Sequence, residues 1–175
     1  MNLDLLCAKD ELRPAMCHVF ITAEVMVATD AHVLGVIPTE ELFDEEFISK
    51  IPEGGFLMHP EDFKKVVAYK GAFWKTEGTI KLIDPKKRDI IIEAHTEEAI
   101  GKYPNWAAVI PGGSDCTAEI SSFGIDASLA ARLQKALGFK CLKMQFSGVD
   151  RAARCTDNGE SFPNRYGIIM PVGLK

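Results

Sequence analysis

Cys17 and His18 are adjacent, and a thiol beside an imidazole is what a nucleophile and its general base require. In an extended strand neighbouring side chains point to opposite faces, so the two cannot form a dyad there. Asp30 and His32 stand two apart and share a face, yet no serine or cysteine falls at a predictable place beside them, and His32 reads as a turn residue. His59 precedes a helical pattern and His95 lies in a strand pattern. Carboxylates cluster at Glu40, Glu41, Asp44, Glu45 and Glu46. Such a cluster can hold a cation, but the spacing follows no calcium-loop pattern, and residues 39–55 read as a solvated acidic connector. No G-x-x-x-x-G-K-[ST], H-E-x-x-H or paired-cysteine spacing occurs. The expectation is a protein that is not an enzyme and takes no metal or cofactor. A small cysteine hydrolase working through Cys17 is the competing catalytic reading.

Whole-chain totals narrow the class. Apolar content of 47% and charged content of 26% are those of a globular protein, and no apolar run approaches membrane-spanning length. Five cysteines, an odd number with no C-x-x-C pair, argue for reduced, cytoplasmic thiols over a disulfide framework or a zinc site. Met1-Asn2-Leu3-Asp4 carries no basic segment, so no secretory leader is expected. The net charge of −5 is unevenly spread: residues 1–57 hold 3 Lys/Arg against 11 Asp/Glu, and residues 58–175 hold 17 against 14. Acid is concentrated in the first third, which leaves room for a locally basic surface beyond it.

The elements that would position these residues follow from periodicity. Residues 17–37 read as strands broken by a hairpin turn at Thr29-Asp30-Ala31-His32, where glycine would suit the third turn position better than Ala31. Residues 2–7 fit a strand or a short helix. A β-α-β-β-β module then appears twice. In the first copy Phe56-Leu57-Met58 is a strand and Pro60 opens a helix with Phe63, Val66 and Val67 inward, ended by Gly71. Strands follow near 73–77, 79–84 and 89–96, with a turn at Asp84-Pro85-Lys86-Lys87. The second copy begins with a strand at 117–123. Asp126 caps a helix carrying Leu129, Leu133, Ala136 and Leu137, and Gly138 ends it. Strands follow near 141–147, 151–156 and 166–172. Gly112-Gly113-Ser114-Asp115 reads as a joint, which divides the chain into residues 1–111 and 112–175.

Opposite their apolar stripes, the two helices collect Glu61, Lys64, Lys65 and Ala68, and Ser128, Ala131, Arg132 and Lys135, with Lys70, Lys75 and Lys140 just beyond the helix ends. These are ordinary solvated faces or, together, a surface that tracks phosphates without reading bases; Lys64, Lys65, Lys70, Arg132, Lys135 and Lys140 are the candidate contacts. At the C-terminus Tyr166-Gly167-Ile168-Ile169-Met170-Pro171-Val172 is an apolar strand that places Ile168, Met170 and Val172 on one face.

Three segments, Val25 to Leu34, Gly101 to Pro111 and Tyr166 to Leu174, resemble in order and spacing the bacterial DNA polymerase III sliding clamp (beta subunit) family. The resemblance covers about Cys17 to Lys175. It implies an α+β, DNA-clamp-like fold of repeated β-α-β-β-β modules, with antiparallel sheets and two helices on one face. In that family paired modules build a ring around duplex DNA, helices inward. By resemblance, Thr29, Ala31, His32 and Leu34 match a Thr-Asp-Gly-His-x-Leu segment, and Pro104 and Val109 match a Phe-Pro-(Asp)-x-x-x-Val segment. Ile168, Ile169, Met170, Pro171 and Val172 match the family's C-terminal Val-Met-Pro-Met. Together they imply a hydrophobic groove for clamp-binding peptides of polymerases and other DNA-processing proteins. Duplex DNA is the second implied partner, bound without regard to sequence, and no membrane is implied. Ala31 stands where the family has glycine, and Ala107, Ala108 and Gly173 stand where it has basic residues. Residues 1–16 match no first helix, and clamp chains are longer, so several copies would be needed to close a ring. The alternative is a degenerate clamp-fold peptide-binding or regulatory module that neither encircles nor binds DNA.

Overall fold

Residues 19–38 carry β-branched and aliphatic side chains in both alternating registers, and in the computed structural model they form the centre of an antiparallel sheet. The structure describes residues 1–173 apart from 11, 70–72, 77, 84–89, 98–101, 113–115, 121 and 160. The strands are β1 (Val19–Ile21), β2 (Val25–Thr29), β3 (Val33–Pro38), β4 (Phe56–Met58), β5 (Phe73–Thr76), β6 (Thr79–Ile83), β7 (Ile90–Glu97), β8 (Leu142–Gln145), β9 (Ala153–Asp157) and β10 (Tyr166–Ile169). The helices are α1 (Glu45–Ile48), α2 (Pro60–Ala68) and α3 (Ala127–Leu137), with 3-10 turns at Leu3–Leu6, Pro14–Cys17, Thr39–Glu41 and Trp106–Val109. Strand order is β5-β6-β7-β4-β1-β2-β3-β10-β9-β8. The last strand of the chain therefore pairs with β3 and completes the sheet that the N-terminal hairpin begins.

The register between β3 and β10 sets the two faces. Leu34 opposes Ile168 and Val36 opposes Tyr166, while Gly35 opposes Gly167 between them. A Cβ on Gly167 would come within 2.5 Å of Leu133 Cδ1, and one on Gly35 within 2.5 Å of Leu6 Cδ1. The paired glycines thus let α3 and the Leu3–Leu6 turn lie directly on the sheet. On this face Leu3, Leu6, Phe63, Val66, Leu133 and Leu137 join one buried cluster, which places α2 and α3 on the same side. On the other face Val27, Leu34, Val36, Leu57 and Ile168 form a second cluster under Tyr103.

The helix ends follow their residues. Pro60 occupies the first turn of α2, where its missing N–H is no loss, and His59 Nδ1 accepts from the Glu61 amide. Asp126 Oδ1 accepts from the Ser128 amide at 2.8 Å, and Gly138 closes α3 with φ 76°.

Several expectations are corrected. Cys17 closes a 3-10 turn opened by Pro14, so the strand begins only at Val19; His18 Nδ1 lies 2.9 Å from the Pro14 carbonyl. Among the described residues of 117–123 there is no strand; a bond from the Ala118 amide to the Phe146 carbonyl and the packing of Phe123 on the Phe146 ring tie them to the end of β8. The apolar residues there, Ile120 and Phe123, are three apart and would fall on opposite faces of a strand, so pairing would bury little. The terminal strand stops at Ile169, because β3 begins at Val33 and Pro171 has no amide proton to extend the ladder. The acidic connector is structured: Asp44 caps α1, the stacked rings of Phe43 and Phe47, 4.1 Å apart, anchor it to the core, and Glu41 pairs with the buried Arg165 while Glu40, Glu45 and Glu46 stay exposed. The expected helix stop at Gly71, the turn at residues 84–87 and most of the joint at 112–115 lie outside the described residues. Among the described residues no helix is long and apolar enough to cross a membrane.

Candidate functional site

The turn between β2 and β3 is held by its own side chains. Thr29 Oγ1 accepts from the Ala31 amide at 3.1 Å and donates to the Val33 carbonyl at 2.9 Å. Asp30 Oδ1 accepts from the amides of His32 and Val33 at 2.9 and 3.0 Å. These bonds wind the backbone so tightly that Ala31 adopts φ 77°, a left-handed conformation that glycine takes without strain. The outcome at Ala31 and His32 is a raised lip. Across from it the Met170 amide donates to the His32 carbonyl at 2.9 Å, which brings the end of β10 alongside the turn.

The third piece, residues 102–112, is pinned by Tyr103. Its ring stacks on Phe20 at 4.7 Å and 16°, its hydroxyl reaches the Val27 carbonyl at 3.5 Å, and burial pushes its pKa up. The 3-10 turn Trp106–Val109 then projects Pro104, Trp106 and Val109 toward the Ala31 lip.

The three pieces enclose a cleft of about 340 Å³. Thr29, Ala31, His32, Leu34, Pro104, Val109, Ile168 and Met170 all line it. Leu34 and Ile168, 4% and 2% exposed, form the floor, whereas Val109 and Met170, 49% and 37% exposed, stand as walls. Ile169 does not reach the cleft: it is one residue out of phase and sits in the core beneath α3. Pro171 and Val172 lie past the cleft lining, where the Val172 amide bonds the Gly124 carbonyl. Arg13, Met16, Val33, Asn105 and Trp106 also line the cleft, and none has a site signal of its own in the sequence. Asn105 and Trp106 are marked in the sequence only by their place in the Gly101–Pro111 segment, and Val33 by its place in Val25–Leu34. Arg13 and Met16 carried no signal, since their 3-10 turn has no periodicity to read.

On the opposite face the basic residues are largely matched by acid. Lys64 Nζ lies 2.7 Å from Glu61 and 3.7 Å from Asp4, which holds the Glu61 carboxyl below its usual range and raises the Lys64 ammonium. Lys65 pairs with Asp62 at 2.5 Å, and Arg132 pairs with Asp30. Lys135 and Lys140 are exposed and carry no ion pair with a described residue. Lys70 and the side chain of Lys75 lie outside the described residues. Among the described residues no group of His, Cys, Asp and Glu is arranged to hold a metal ion. The Cys7 and Cys155 thiols are pushed up to about 12 by burial, which leaves them protonated and inert at neutral pH.

No protein-family model and no curated protein sequence matches the chain. Solved structures do. The DNA polymerase III beta chain of Streptococcus pneumoniae superposes with a TM-score of 0.67 at 13% identity, covering 99% of this chain and 61% of that one. The beta subunit of Thermotoga maritima gives 0.65 at 15% identity over 97% of this chain and 61% of its own. The sliding clamp of Bartonella birtlesii, bound to griselimycin, gives 0.64 at 14% identity, covering 99% and 63%. The chain thus spans a little over three-fifths of the length of the clamps it resembles. Superposition over nearly the whole of this chain at TM-scores of 0.64 to 0.67 leads to one conclusion: the chain has the fold of the bacterial DNA polymerase III beta subunit, the sliding clamp.

Proposed function

We propose that this chain is a sliding-clamp-like protein that docks an extended partner peptide in the cleft between the Ala31 lip, the Trp106–Val109 turn and Met170. The convergence of three sequence-distant segments on one apolar cleft carries the reading. Leu34, Ile168 and Met16 make a rigid floor, and Met170 is an unbranched, polarizable wall that adapts to leucine or phenylalanine side chains. Partner peptides belong to polymerases or other DNA-processing proteins. The role is binding without chemistry, in the cytoplasm, where its free cysteines stay reduced. Contact with duplex DNA through Lys135 and Lys140 on the helix side is a further part of the proposal, weak in a single copy and indifferent to sequence.

The test is fluorescence anisotropy with a labelled peptide carrying adjacent leucine and phenylalanine. Met170→Glu puts a carboxylate on an apolar wall and is expected to raise Kd by about ten-fold or more. Binding that Met170→Glu leaves unchanged removes the cleft as the docking site.

A further inference from the structure

Arg132 projects from the face of α3 that the sequence offers as either a solvated surface or a phosphate contact, but its guanidinium is bonded elsewhere. Nη2 donates to Asp30 Oδ2, and among the described residues the buried Nε has no hydrogen-bond partner, so the Asp30 carboxylate is the described acid that this guanidinium meets. Asp30 is the residue whose other oxygen holds the amides of His32 and Val33 and so shapes the lip of the cleft. The pair crosses the end of the sheet: its base is on a helix fixed by Leu133 and Leu137 in the core, and its tip is in the turn on the cleft side. We propose that Arg132 is a positioning residue for the cleft, orienting Asp30 so that the turn keeps Ala31 left-handed and His32 in place. The proposal rests on the peptide-docking reading for its consequence, but the positioning itself can be measured without a peptide.

The physical reason is partial burial. The Asp30 and Arg132 side chains are 16% and 29% exposed, and a half-buried carboxylate without its counter-charge turns toward water. Turning takes Oδ1 away from two amides at once and leaves the strained turn at Ala31 to the Thr29 hydroxyl, the Asp30 amide on the Val33 carbonyl and the Met170 amide on the His32 carbonyl.

Arg132→Gln removes the charge and keeps much of the side chain, and Arg132→Lys keeps the charge. In Arg132→Gln, hydrogen exchange at the His32 and Val33 amides is expected to speed up while Ala136 and Leu137 in α3 keep wild-type protection. Affinity for the labelled Leu-Phe peptide is expected to fall roughly three- to ten-fold, with Arg132→Lys recovering most of it. Unchanged exchange at His32 and Val33 in Arg132→Gln overturns the proposal, as does faster exchange spread through α3 with no recovery in Arg132→Lys. Should the wild type bind no such peptide while Arg132→Gln still frees the two amides, the docking reading falls and the positioning role stands.

Discussion

Ala31 is the residue at which sequence chemistry and backbone geometry disagree most openly. A side chain in the left-handed region costs about 1–2 kcal/mol, and the turn accepts that strain because Thr29 and Asp30 bond three of its amides. Ala31→Gly relieves it, and the greater freedom of glycine in the unfolded chain offsets part of the gain. Stability to urea is expected to rise by about 0.5–1 kcal/mol. A loss of stability would mean that Ala31 is not held at positive φ. The same substitution removes a methyl group from the cleft lip, so it changes shape and strain together.

At the scale of elements, α3 is the piece most completely specified by its own residues. Asp126 and Gly138 close its two ends, and Leu133, Ala136 and Leu137 face the sheet. The Ser128 side chain and amide hold the Asp126 carboxyl below the usual aspartate range. A folded pKa below the unfolded one means that the native state binds fewer protons in acid. The stabilisation is therefore full above the unfolded value and is lost as pH falls through the folded one. Asp126→Asn keeps the cap without the titration. The difference in urea midpoint between wild type and variant is expected to shrink as pH falls from about 5 to about 2. A difference that stays constant over that range would separate the cap from the charge. The residues at 117–123 show the opposite case: they suit a strand by composition, but Ile120 and Phe123 cannot share a face, and no ladder forms among the described residues.

At the scale of the whole molecule, the sheet separates an apolar cleft from a helix face on which Lys64, Lys65 and Arg132 are paired with acid. Ion pairs hold Lys64, Lys65 and Arg132, so few cations are left for phosphate. Duplex binding by one copy is expected to be weak and seen only at low salt, with a log–log salt slope near about −2 if Lys135 and Lys140 each meet one phosphate. Lys135→Ala with Lys140→Ala should abolish it and Lys64→Ala should barely change it, as measured by anisotropy on two duplexes of unrelated sequence. The reverse ranking would place the contact on α2.

Local patterns in the sequence determined the strand–helix–strand order of the first module, the start of α2 at Pro60, both ends of α3, the β2–β3 hairpin and the glycine-like demand at Ala31. Each of these depends on residues within a few positions of one another. Tertiary structure alone decided the rest. Arg132 turned from the expected phosphate face to Asp30, 102 residues away in the chain. Met16 and Arg13 entered the cleft from a turn with no periodic signal, and Ile169 left it by a single step in register. The reason is geometric: period and capping fix which side of an element a residue occupies, but which charges meet across a sheet depends on how separate elements pack.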